Sequence, residues 1–141
     1  MMARIKIDIP EKKLLAVVKI RVRISDINYG NHVGNDALVS ILHEARVQWL
    51  QTLHYTELNI EGLGLMMSDL CIEYKNESFY GDELAVTIYT GDVSPVSFEL
   101  YYLINNQENK LIVKAKTGMV CYNYEIKKVA AIPEKLKKVL E

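Results

Sequence analysis

Between residues 36 and 53 the sequence carries one helix-period stripe. Leu38, Ile41, Leu42, Ala45, Trp49 and Leu53 follow at spacings of three and four. A stripe this wide must be buried against something large, and the rest of the 141 residues offers mainly strands. Residues 14–25 alternate at their end, with Ile20, Val22 and Ile24 on one face and Lys19, Arg21 and Arg23 on the other. After a loop near 54–63, strand-like segments cover 64–75, 83–93, 97–106 and 110–124. They are separated by Tyr80-Gly81-Asp82, Ser94-Pro95 and Asn105 to Asn109. Short connections predict antiparallel pairing of consecutive strands. Asn35 or Asp36 fits the N-cap of the long helix, and Pro133 opens a short one from Glu134 to Leu140. The expectation is one α+β domain over residues 1–141, with five to six antiparallel strands curled around a long central helix. Such a sheet leaves edges and an outer face open, which a homodimer or homotetramer would cover.

Composition removes several function classes. The net charge is −1, and Lys and Arg form no block, so nucleic acid is not an expected partner. Asp36, His43, Glu44, Arg46 and Gln48 interrupt the one long helix, so no membrane span is expected. The N-terminus from Met1 to Pro10 lacks the continuous apolar core of an export signal. Cys71 and Cys121, in apolar segments fifty residues apart, read as reduced thiols of a cytoplasmic protein. His32, His43 and His54 lie eleven apart, which matches no metal-ligand spacing, so neither metal nor cofactor is expected.

The chemistry concentrates where strand meets helix. Asp26, Asn28 and His32 gather at a turn that opens into the helix, and a helix N-terminus carries free N–H donors that can hold an oxyanion. Asn28 either orients a water or a carbonyl, or bonds its own turn. Asp26, two residues earlier, would face the same way on an extended strand and supply a carboxylate, or cap the turn and pair with Arg23 or Arg46. His32 fits a general base or a donor to a carbonyl oxygen, or a packed residue at the helix start. Tyr29, Gly30, Asn31, Val33 and Gly34 offer backbone N–H groups, with Gly30 allowing close approach or a positive φ. Met66 and Met67 read as lining for an acyl group, or as core. Lys75, Lys110, Lys114 and Lys116 would attract phosphates, or simply solvate a strand face.

The run Asp26-Ile27-Asn28-Tyr29-Gly30-Asn31-His32-Val33-Gly34-Asn35, followed by Glu44-Ala45-Arg46, resembles the hotdog-fold acyl-CoA thioesterases of the 4-hydroxybenzoyl-CoA thioesterase type. Tyr74 with Tyr80-Gly81-Asp82-Glu83-Leu84, the segment Ala115 to Tyr122, and Ala131-Ile132-Pro133 extend the likeness from about residue 14 onward. The resemblance implies a hotdog fold, an active dimer and often a tetramer. It implies a substrate that is a thioester of CoA or acyl-carrier protein. It also implies a catalytic carboxylate at the position of Asn28, where an amide cannot act as a base. Some members place a carboxylate on the central helix, which points to Glu44. Water would otherwise be activated by Asp26, His32 or a carboxylate such as Asp69, Glu73 or Glu77 supplied across a dimer. Hotdog enoyl-CoA hydratases carry Asp-x-Asn-Pro-x-His; this chain lacks the proline and has one extra residue before His32. A module that binds acyl-CoA or acyl-carrier protein without turnover is the other alternative.

Overall fold

The computed structural model describes residues 3–141. Met1 and Met2, where the segment read for an export signal begins, lie outside the described residues. In chain order the elements are β1 (Leu14–Arg21), a 3-10 turn (Ile24–Asp26), α1 (Asn35–Thr52), β2 (Gly64–Tyr74), β3 (Glu83–Val93), β4 (Ser97–Asn105), β5 (Leu111–Asn123), β6 (Lys128–Ala130) and α2 (Glu134–Leu140). The six strands form one antiparallel sheet in the order β1-β3-β4-β5-β2, with β6 added to β5. This is the hotdog arrangement, with α1 packed on the inner face of the sheet.

Period two explains that face. Leu84, Val86, Ile88 and Thr90 of β3, Phe98, Leu100, Tyr102 and Ile104 of β4, and Val113, Ala115, Thr117, Met119 and Cys121 of β5 are all buried. The apolar residues among them form one core with Leu38, Ile41, Leu42, Ala45, Trp49 and Leu50 of α1. The helix stripe is as expected except at its end, where Leu53 is half-buried. Leu53 caps α1, and His54 turns left-handed at φ 62°, which stops the helix. Both thiols are free, and burial pushes Cys121 up to about 11.

Three expectations are corrected. The strand read over residues 14–25 stops at Arg21; Val22 is still buried, but Ile24 is 73 % exposed instead of inward-facing. The cause is local: Asp26 folds back to accept the N–H of Arg23, closing a 3-10 turn. The N-cap is Gly34, one residue before Asn35. Consecutive strands β2 and β3 do not pair; each pairs elsewhere and β2 forms the far edge. Their connection passes the start of α1 instead, where Val33 N–H donates to Ser78 O at 2.8 Å. Strand β6 was not anticipated.

A buried polar chain ties α1 to the sheet. Arg46, offered in the sequence as one alternative partner for Asp26, instead donates through Nε to Glu57 at 3.0 Å and through Nη1 to the Tyr102 hydroxyl at 3.2 Å. Burial works against the Arg46 charge, but Tyr102 and Glu57 outweigh it and raise its pKa. Burial alone would raise Glu57 too, yet hydrogen bonds from His43 and Arg46 hold its carboxyl below the ordinary value of 4.5. A carboxylate depressed in the folded state stabilises it fully above the unfolded value, and that stability is lost as pH falls through the folded value. Acid titration of unfolding stability is therefore expected to show a loss below about pH 4.5 that Glu57→Gln removes. A profile unchanged by that substitution would show that Glu57 is not part of the acid response.

Candidate active site

The bend between β1 and α1 holds itself together with its own polar groups. Ile27 and Val33 form an isolated antiparallel bridge, and Asn28 N–H donates to His32 O at 3.0 Å. Asn31 N–H returns to Asn28 O at 3.1 Å, with Asn31 at φ 66°. The left-handed residue expected at Gly30 is thus Asn31, a residue type that tolerates it. Gly30 serves close approach: a Cβ there would stand 3.2 Å from Asn28 Oδ1 and 3.4 Å from His32 Nε2. Tyr29 projects fully into solvent, so its side chain touches nothing at the bend.

Most of the backbone donors expected to face a substrate are already committed. Gly30 N–H donates to Asn28 Oδ1, Asn31 N–H to Asn28 O, Val33 N–H to Ser78 O and Gly34 N–H to Asp26 O. Within residues 30–34 only His32 N–H has no acceptor among the described residues. The free donors lie one step further on. Gly34 supplies no side-chain cap, so the N–H groups of Asn35, Asp36 and Ala37 stay open at the positive end of an 18-residue helix.

Each candidate side chain has a defined state. Asn28 is half-buried, and its Oδ1 is held by Gly30 N–H at 2.8 Å. That bond fixes the amide so that Nδ2 faces the helix start, 3.9 Å from the point a Gly34 Cβ would occupy. Asn28 is therefore both turn residue and free donor. His32 Nδ1 lies 3.1 Å from Val33 O. A carbonyl only accepts, so Nδ1 carries the proton and a neutral ring keeps its lone pair on Nε2. Asp26 is 7 % exposed and its carboxylate is spent on Arg23, from the backbone N–H at 2.8 Å and from Nη2 at 3.5 Å. It does not share a face with Asn28, because the 3-10 turn breaks the period-two spacing.

Glu44 is exposed on α1 and accepts from Gln48 at 2.8 Å. It lines a groove of about 490 Å³ between β1 and α1, together with Asp26 and Arg23; Asn28 and His32 are not in its lining. Met67 borders a smaller crevice between α1 and β2, while Met66 lies exposed on the same edge strand. Two of the three carboxylates considered for action across a dimer are paired. Asp69 bonds Lys116 at 2.8 Å, which lowers its pKa, and Glu73 bonds Lys75 at 2.6 Å with the same effect. Lys116 and Lys75 are therefore not free phosphate ligands.

Asp36 was read from the sequence only as a cap. Its Oδ1 sits 2.7 Å from the Gly34 Cβ position, on the same side as Asn28, and no hydrogen bond or ion pair holds it among the described residues. Tyr74 joins the cluster through its hydroxyl on Asn35 O at 3.1 Å; burial and then the Asp36 charge raise its pKa. The sequence signal was present: an acid two residues past the cap, beside a turn whose expected acid is missing. No group of three or more metal-ligating side chains occurs among the described residues, and no helix among them is long and apolar enough to cross a membrane.

Comparison with known proteins follows the same line. A sequence model of the thioesterase-like superfamily matches residues 22–140. No curated protein matches this chain in sequence. Among solved structures, the 1,4-dihydroxy-2-naphthoyl-CoA thioesterase from Synechocystis superposes with a TM-score of 0.81 at 23 % identity, over 88 % of this chain and 93 % of that one. The DHNA-CoA thioesterase from Staphylococcus aureus gives 0.79 at 17 %, over 88 % and 87 %. A gentisyl-coenzyme A thioesterase gives 0.79 at 19 %, over 89 % and 100 %. At these identities the superpositions speak for the fold, and the family model covers everything from the end of β1 to α2. The chain belongs to the thioesterase-like superfamily.

Proposed function

We propose that this chain is a hydrolase of acyl-CoA thioesters, with the thioester carbonyl seated at the N-terminus of α1. The observation that carries the reading is the set of free donors there: Asn28 Nδ2 and the uncapped N–H groups of Asn35, Asp36 and Ala37. Donors fixed before the reaction stabilise the tetrahedral oxyanion without reorganising. Water attacks the carbonyl carbon, His32 Nε2 takes its proton, and the CoA thiolate leaves. Asp36 is the unpaired carboxylate beside this centre and holds the imidazolium that forms. The CoA thioesterases of the same fold support the choice of substrate carrier over acyl-carrier protein.

The working unit is a homodimer, or a homotetramer built from it. What supports this is the sheet edge: β2 pairs on one side only and leaves Met66 and Met67 exposed. Sedimentation that returns only monomers at micromolar concentration contradicts it. The protein acts as one domain, and its two free cysteines suit a reducing compartment such as the cytoplasm.

A thiol-release screen across short, long and aromatic acyl-CoAs tests the activity. Turnover of at least one class is expected, with His32→Gln and Asp36→Asn both slowing it. Tight acyl-CoA binding with no thiol released from any class overturns hydrolysis and favours the non-catalytic binding module.

A further inference from the structure

The connection between β2 and β3 holds the bend at both of its ends. Before the 3-10 turn, Val22 N–H donates to Asp82 O at 2.9 Å, and Gly81 N–H donates to Val22 O at 3.3 Å. At the other end, one residue before the Gly34 cap, Val33 N–H donates to Ser78 O at 2.8 Å.

One carboxylate shapes this connection. Asp82 Oδ2 accepts from the Ser78 hydroxyl at 3.0 Å and from the Phe79 N–H at 2.9 Å. Its Oδ1 accepts from Gln107 Nε2, in the β4–β5 loop, at 3.0 Å. Ser78 is 1 % exposed, so losing its acceptor would leave a buried hydroxyl unsatisfied. Burial works against the Asp82 charge, but the bonds from Phe79, Gln107 and Ser78 outweigh it and hold its pKa below the ordinary value.

The pattern of donors calls for an acid and excludes an amide. Gln107 Oε1 accepts the Glu83 N–H at 3.0 Å, which turns Nε2 toward Asp82. The Phe79 backbone N–H faces the other carboxylate oxygen. The side chain at 82 therefore meets donors on both sides, and only a carboxylate accepts at both oxygens. Asparagine there would set its own N–H donors against Phe79 or against Gln107.

This arrangement reaches the bend through Ser78. His32 Nδ1 donates to Val33 O, so the imidazole follows the placement of Val33. The path runs from Asp82 to Ser78 to Val33 to His32, and each link is a hydrogen bond of 3.1 Å or less. Among the described residues Asp82 bonds neither Asn28 nor the free N–H groups of α1, so it acts on the bend only through others.

We infer that Asp82 is a positioning residue: its carboxylate, held between Ser78, Phe79 and Gln107, fixes the Ser78 carbonyl that sets Val33 and, with it, the His32 ring. Its effect on rate rests on the hydrolase reading above, and its effect on Val33 does not.

The test uses Asp82→Asn, Ser78→Ala and the double variant Asp82→Asn with Gln107→Glu, each read in two ways. The first is hydrogen exchange of the Val33 amide relative to the amides of β4. Asp82→Asn is expected to speed that exchange about tenfold or more, because the segment opens locally. The second is the split between kcat and KM for thiol release. A remote change that misplaces a reacting group costs up to about 10²-fold in rate, so Asp82→Asn is expected to lower kcat about tenfold or more with KM within about threefold. The double variant exchanges acid and amide and keeps every bond of the cluster, so it is expected to bring both readouts back to within about threefold of wild type. Ser78→Ala removes a single bond, moves both readouts the same way by a smaller factor, and keeps the test open if Asp82→Asn does not fold. Val33 exchange unchanged in both single variants, a change in KM without one in kcat, or no recovery in the double variant overturns the assignment. If the wild type releases no thiol, faster Val33 exchange that the double variant restores leaves Asp82 in its role and removes the hydrolase.

Discussion

Asn28→Ala is expected to lower kcat for thioester hydrolysis by about 10²–10³-fold, the usual loss for one oxyanion donor, while KM changes little. The size follows from the state of the amide. Oδ1 is already spent on Gly30 N–H, so alanine removes two things at once: the bond that holds the turn and the Nδ2 donor aimed at the helix start. The two are separable. Asn28→Asp retains an acceptor for Gly30 N–H but replaces the donor with a carboxylate oxygen, restoring the acid that the resemblance implies at this position. If the donor matters, Asn28→Asp also loses the pH-independent rate, and any activity it retains follows ionisation of the new carboxyl. If Asn28 only shapes the turn, Asn28→Asp keeps wild-type kcat. Steady-state kinetics of both variants from pH 5 to 9 decides between them.

Arg46→Leu is expected to give the largest stability loss of any single change to the polar chain, about 3 kcal/mol. Removing one partner of a buried ion pair typically costs roughly 3–5 kcal/mol, because the other charge is left uncompensated. The lower end applies here because Glu57 is partly exposed and still contacts His43. Tyr102, fully buried, keeps Thr117 but loses its donor from Arg46. Replacing both Arg46 and Glu57 with methionine should recover part of the loss, since the desolvation of two charges disappears with them. Denaturant unfolding of the single and double variants measures both effects. A single variant within about 1 kcal/mol of wild type would show that the pair is effectively solvated.

Elements with clear periodicity were legible in the sequence. β3 and α2 fall where their patterns begin and end, because period two and a proline at the helix start leave little choice. Strand order was not legible. Turn residues before Glu83 announce a change of direction, but they do not say which strand lies alongside, and the segment 75–82 crosses the helix start to bring β3 between β1 and β4, at the opposite end of the sheet from β2. β6 escaped notice because three residues, Lys128 to Ala130, are too few to show a pattern.

The site was legible as a place and less so as a set of atoms. Polar residues between a strand and a long helix point to the bend, and the bend is where the free donors gather. Which N–H groups are free depends on Ser78 and Asp26 carbonyls brought in by folding, and no local pattern reveals that. Arg46 was misread for a related reason. Its place beside Ala45 and three before Trp49 puts it at the margin of the apolar stripe, but its partners Glu57 and Tyr102 come from a loop and a distant strand.

The central claim is that the start of α1 grips a thioester carbonyl. The most direct measurement is the infrared stretch of a ¹³C-labelled thioester carbonyl bound to the slow His32→Gln variant, with and without Asn28→Ala. The account predicts a shift to lower wavenumber on binding that Asn28→Ala largely abolishes. A bound carbonyl that absorbs as it does in water, and does not respond to Asn28→Ala, contradicts it.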